Sequence, residues 1–265
     1  MKIASLYHPK DVNDALRVSR ESKDTVVFGG GAWLKLSPRR VERAVLLDTL
    51  NLAEIRVRDD AVVIGAMCTL RSMETHEAIL DIGQGILVDA LEQIMGVGLR
   101  NIATIGGSVM GRYGFSDILP VLLALEASLT FAEAKEMSLE SFMASKKRMN
   151  DVLLEVSIPR KKAIGYFKKV ATTPLDFSLL NVTVVKTDTR ITVVLGSRPG
   201  GAMGHDVTEY INGANDIDKA VERAVESVLE AIPLGQNVRA TKAYREQLAK
   251  TYVRRGLLEV MRDES

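Results

Sequence analysis

The spacing of apolar residues divides the chain into two stretches of different character. In residues 11–22, Ala15, Leu16 and Val18 share one side of a helical projection and predict an amphipathic helix. The run Thr-Val-Val-Phe at 25–28 stops at three glycines and predicts a short buried strand. Residues 44–47 repeat that pattern and close at Asp48, while 54–58 and 61–66 flank Asp59-Asp60 as a hairpin. Thr69 is placed to cap a short helix reaching Glu77, and 86–95 predict another, stopped near Gly96 and Gly98. A leucine-rich helix over 117–127 and strands at 128–131 and 152–158 complete this stretch.

Beyond Pro159 the order becomes strands followed by helices. Strands are predicted at 165–170, 178–186 and 190–195, with Thr187-Asp188-Thr189 as a hairpin turn, then helices over 216–230 and 241–260. The fold class is therefore α+β, with a front domain at 1–162 and a smaller α+β domain at 163–265 made of an antiparallel sheet plus helices.

Composition narrows the function. Thirty-five basic residues face thirty-four acidic ones, and Lys161-Lys162 and Lys168-Lys169 are too short to form a nucleic-acid footprint. No apolar run approaches the roughly 20 residues needed to span a bilayer. The opening Met1-Lys-Ile-Ala-Ser-Leu-Tyr-His-Pro9 lacks the apolar core of a signal peptide, so a cytoplasmic protein without membrane or nucleic-acid partners is expected. One cysteine, Cys68, supports neither an internal disulfide nor an iron–sulfur cluster, and His8, His76 and His205 show no metal-ligand spacing. Any redox chemistry must come from a bound organic cofactor.

Two glycine turns are the candidate chemistry. Strand 25–28 runs into Gly29-Gly30-Gly31-Ala32-Trp33, and Arg100-Asn-Ile-Ala-Thr-Ile-Gly-Gly-Ser108 precedes Asp117. Glycine can adopt positive φ and has no side chain to hold a phosphate away, and consecutive N–H groups form an anion site. The first turn misses the dinucleotide fingerprint because Leu34 stands at its third glycine position, and a plain strand-ending turn explains it as well. Asp117 fits either an N-cap or an acceptor for sugar hydroxyls, and the two are compatible. Trp33 fits a core residue or a surface for a ring system.

The glycine turn at 29–31, the run R-N-x-x-T-I-G-G at 100–107, Asp117 and the following L-P-V-L-L-A-L-E-A resemble the FAD-binding medium subunit of molybdenum hydroxylases. Xanthine dehydrogenase and carbon monoxide dehydrogenase typify these enzymes, and the subunit has a two-part PCMH-type FAD-binding fold. Asp151-Val-Leu-Leu-Glu-Val-Ser-Ile-Pro159, Tyr166-Phe-Lys-Lys169 and the closing Arg239-Ala-Thr-Lys-Ala-Tyr-Arg-Glu-Gln-Leu248 with Val253-Arg-Arg-Gly-Leu257 extend the resemblance over the whole chain.

The resemblance implies FAD as cofactor. It implies that Val27, Phe28, Gly29, Gly30, Gly31, Ala32 and Trp33 wrap the diphosphate. Thr104, Ile105, Gly106, Gly107 and Ser108 would hold its other side and the ribityl chain. Asp117 would accept from cofactor hydroxyls, and Leu153 and Lys168 would lie against the cofactor as in the xanthine dehydrogenase branch. It further implies a large molybdopterin-binding partner, a small [2Fe–2S] partner and NAD or another electron acceptor. No side chain is expected to act as a general acid or base. A standalone PCMH-type flavin oxidoreductase and an assembly subunit without flavin are the competing readings. Ser108 departs from the family's usual Asn, and Ser197-Arg-Pro-Gly-Gly-Ala-Met-Gly204 departs from its G-x-x-A-x-x-P-x-R.

Overall fold

A computed structural model describes residues 1–145 and 149–262. The chain forms two compact units that interleave along the sequence: residues 1–75, 96–111 and 127–159 build the first, and 76–95, 112–126 and 160–265 the second.

Among the described residues, the first unit holds two sheets. Strands β1 (Lys2–Tyr7), β2 (Thr25–Phe28) and β3 (Arg40–Leu46) form a parallel sheet in the order β1-β3-β2. Helix Val12–Ser19 covers one face of it, because its Ala15 and Val18 bury with Val45 and Leu47 in one apolar cluster. The helix begins where Asp11 accepts from the Asp14 backbone N–H at 2.7 Å, which satisfies an otherwise orphaned donor. Strands β4 (Ile55–Val57), β5 (Ala61–Gly65), β6 (Ser128–Phe131), β7 (Lys135–Ser138) and β8 (Leu153–Pro159) form an antiparallel sheet in the order β4-β5-β8-β6-β7. The β4–β5 hairpin turns at Asp59-Asp60 as expected. Strand β1 gave no sequence signal because five of its six residues are exposed and nothing alternates.

The second unit is built on one antiparallel sheet, β9 (Ala163–Val170), β10 (Leu180–Thr187), β11 (Ile191–Gly196) and β12 (Met203–Asp206), in the order β12-β11-β10-β9. Helices Ile217–Ala231 and Lys242–Arg262 bury Val221, Ala224, Val228, Val253 and Leu257 with sheet residues Val182, Val184 and Val193. Gly256 lets the last helix approach closely: a Cβ there would fall 2.7 Å from Val184 and 2.5 Å from the Tyr166 ring. Arg245 of the same helix is 1% exposed and donates to the carbonyls of Leu179, Gly235 and Ala240 and to Asn237 Oδ1. All four partners are neutral, so this arginine fastens loop 235–240 to the sheet by hydrogen bonds alone. No helix among the described residues is long and apolar enough to cross a membrane.

Candidate functional site

The first glycine segment continues β2. The last ladder bond leaves Leu47 N–H for the Phe28 carbonyl at 3.3 Å, and the chain then leaves the sheet. From there, the backbone N–H groups of Gly29, Gly30, Gly31 and Ala32 find no acceptor among the described residues. Gly31 has φ +66°, and a Cβ at that position would overlap the Phe28 ring folded beside it. Successive unspent N–H groups around a positive-φ residue form a concave anion site. Ala32 is 6% exposed, so its bare donor costs free energy unless a ligand satisfies it.

The second glycine segment is not a turn. It is the opening of helix Ile105–Gly111, a correction to the sequence expectation. The signal was masked because Gly106 and Gly107 are poor helix formers. Thr104 acts as its cap, with the hydroxyl accepting from Gly107 N–H at 3.1 Å. The other donors are spent too: Ile105 N–H reaches Cys68 O at 3.0 Å, Gly106 N–H reaches Ala66 O at 2.9 Å, and Ser108 N–H reaches Thr104 O at 3.0 Å. The Ser108 hydroxyl also turns back to Thr104 O at 3.0 Å.

The two segments touch. A Cβ on Gly30 would overlap the Ile102 carbonyl, and one on Gly29 would come within 2.9 Å of the Thr104 hydroxyl oxygen. Gly106 has the same kind of reason, with the Ala66 carbonyl 2.6 Å from its would-be Cβ. Gly107 does not. It is exposed, and a Cβ there would meet only the Thr104 hydroxyl at 3.1 Å. Backbone or hydroxyl contacts tighter than 3.0 Å account for three of these glycines, while the contact at Gly107 is with one hydroxyl that a small shift can relieve.

Leu153, at the start of β8, is 3% exposed and pairs with Phe131 beside a bulge in the first unit. Asp117 and Lys168 belong to the second unit. Asp117 holds the N-cap position of helix Ile118–Ala124 but makes no capping bond. Ser116 does that work, accepting from Leu119 N–H at 3.2 Å, so the capping role expected of Asp117 passes to its neighbour. The Asp117 carboxylate accepts instead from the Ser178 hydroxyl and from Asn181 Nδ2 at 2.9 Å, and pairs with Lys169 Nζ at 3.2 Å. Lys169 also donates to the Gln93 carbonyl at 2.7 Å.

Lys169 is the functional-looking residue that sequence reasoning passed over. Strand alternation in Tyr166-Phe-Lys-Lys169 sends Lys169 inward and leaves Lys168 exposed, its ammonium 5.7 Å from the centre of the Tyr252 ring. Cys68 is buried, and burial pushes its thiol up to about 11, which keeps it protonated and unreactive at neutral pH.

A strand that ends in a run of N–H groups without acceptors among the described residues has the donor chemistry of an anion site. The chain belongs to the FAD-binding flavoproteins of the molybdopterin dehydrogenases, and its cofactor is FAD. Residues 2–161 match the FAD binding domain in molybdopterin dehydrogenase, and residues 165–260 match the CO dehydrogenase flavoprotein C-terminal domain. It is 28% identical over 228 residues to the uncharacterized protein YgfM of Escherichia coli K12, covering 84% of this chain and 86% of that one. It is 26% identical over 225 residues to the nicotinate dehydrogenase FAD-subunit of Eubacterium barkeri, covering 77% and 76% of the two chains. A chain of the carbon monoxide dehydrogenase from Hydrogenophaga pseudoflava, crystallised without the Mo-pyranopterin moiety, shares the fold with a TM-score of 0.87 at 20% identity, covering 98% of both. The α+β, two-domain expectation agrees with these matches.

Proposed function

We propose that this chain is the electron-transfer subunit of a molybdenum hydroxylase complex. Electrons would arrive from [2Fe–2S] clusters on a small partner, after substrate oxidation on a large molybdopterin-binding partner, and leave to NAD or another acceptor. The observation that carries the reading is the run of four N–H groups at Gly29, Gly30, Gly31 and Ala32 without acceptors among the described residues, in a unit where Gly107 is exposed. That donor set fits a diphosphate, because it supplies several hydrogen bonds to negative oxygens and keeps side chains out of their way.

Bound FAD supplies the redox chemistry, and the protein supplies placement. Val27 and Phe28 would hold the strand end in position, Gly29–Ala32 would donate to the diphosphate, and Trp33 would close the segment. Thr104, Ile105, Gly106 and Ser108 would form the wall behind Gly107, their own donors being committed to the protein. Asp117, Leu153 and Lys168 remain contact candidates on the family resemblance. The nicotinate dehydrogenase relative supports a nitrogen heterocycle as the substrate of the large partner. Protein purified from its native host should be yellow, carry FAD that denaturation releases, and bring a molybdenum-containing subunit with it. A colourless chain that takes up no added FAD would overturn the reading.

A further inference from the structure

The face of the three-stranded sheet opposite helix Val12–Ser19 lacks a cover at its β1 side. Strand β1 is an edge strand, so among the described residues one row of its backbone groups has no strand partner. Alternation places Lys2 and Leu6 on that open face, and Leu6 is 60% exposed. The Met1 nitrogen donates to the Lys35 carbonyl at 2.7 Å, which brings the segment carrying Leu36, 69% exposed, beside the start of β1.

The charges here are one-sided. Lys2 and Arg40 are register partners on adjacent parallel strands, an arrangement of like charges that opposes pairing. Neither they nor Lys35 and Arg39 have a carboxylate partner among the described residues. Glu42 is the one acidic residue on the same strip. The chain as a whole carries a formal charge of +1, so this concentration is local.

We propose that this strip is a docking face for a partner protein that presents a carboxylate-rich, part-apolar strand edge. An added strand would satisfy the open backbone row of β1, its carboxylates would offset the repulsion between Lys2 and Arg40, and its apolar side chains would cover Leu6 and Leu36. The proposal rests on the reading of the chain as one subunit of a complex, and it assigns a surface to that reading.

The test uses the complex purified from the native host. Acetylation of Lys2 and Lys35, followed by mass spectrometry, should be at least tenfold slower in the complex than in the free chain. The double variant Lys35→Glu/Arg39→Glu should lose its partner at a salt concentration where the wild type keeps it, with flavin content per chain unchanged. A complex in which both lysines label at the free-chain rate, and which the double variant leaves intact, overturns the docking face and spares the proposed function. Absence of any co-purifying subunit overturns both. Sedimentation of the free chain with phosphatidylserine vesicles, abolished in the double variant, would assign the face to a membrane and also overturn the protein partner.

Discussion

The two glycine segments look alike in sequence and differ in what their backbone has left to offer. At 29–32 the strand has ended, no helix has begun, and four consecutive N–H groups find no acceptor among the described residues. At 104–108 a helix has begun, and every donor from Ile105 to Ser108 is bonded inside the protein. Glycine therefore serves two purposes in one unit. In the first segment it lets the chain pass against the Ile102 carbonyl and the Thr104 hydroxyl. In the second, Gly106 lets a helix start directly against the Ala66 carbonyl. A glycine-rich motif marks close approach, and only the hydrogen-bond census says whether protein or ligand is the approaching party.

The contact between the segments gives the largest expected effect. Gly30→Ala would drive a Cβ into the Ile102 backbone carbonyl, which has no flexible side chain to yield. The loss of stability should be about 4 kcal/mol or more. Thermal unfolding of the flavin-free protein should show it, and an unchanged melting temperature would mean that the two segments do not meet.

Much of this was readable beforehand. Thr25–Phe28 and Ser128–Phe131 keep the limits the sequence predicts, because apolar or alternating residues between turn residues mark a short strand. Thr69 caps its short helix, accepting from Ser72 N–H at 3.0 Å. Three features were hidden. Strand β1 exposes nearly all of its residues, so burial left no pattern in it. Helix Ile105–Gly111 is held by its surroundings against the poor helix propensity of its glycines. The partners of Asp117 lie 52 to 64 residues away in sequence, at Lys169, Ser178 and Asn181, and no local spacing connects them.

Asp117 now carries a prediction different from the one its capping position suggested. Asparagine caps as well as aspartate, so a capping role alone would make Asp117→Asn harmless. Because Ser116 is the cap and Asp117 faces the buried ammonium of Lys169, Asp117→Asn should instead leave that charge uncompensated and cost about 3–5 kcal/mol. Denaturant unfolding of the flavin-free variant measures this, and stability within 1 kcal/mol of the wild type would refute the buried pair. The second unit thus repeats the lesson of the glycines: the residue that stands in the motif is not always the one that makes the motif's bond.

Gly107→Asp probes the one glycine that protein packing leaves unexplained. Its Cβ would meet only the Thr104 hydroxyl at 3.1 Å, so the fold should tolerate it after a small shift of that hydroxyl, while a carboxylate against a diphosphate should weaken FAD about 100-fold, roughly 2.8 kcal/mol. Flavin absorbance per chain and the melting temperature of the flavin-free protein separate the two effects. Normal flavin content would remove Gly107 from the proposed site.

Thr104→Val is the gentlest way to break the contrast between the segments. Valine keeps the shape and deletes the hydroxyl that accepts from Gly107 N–H, so the helix loses its cap at a cost of about 1 kcal/mol. It also makes the second segment resemble the first, with one backbone donor newly unspent. If phosphate is held by the donors of 29–32, FAD affinity should fall by less than about threefold, because that set is untouched and the freed Gly107 donor adds to it. Equilibrium titration of the flavin-free variant with FAD decides the matter. Loss of binding far beyond the loss of stability would show that the Thr104 hydroxyl itself meets the cofactor, and the two segments would then share the grip that their backbone donors assign to the first alone.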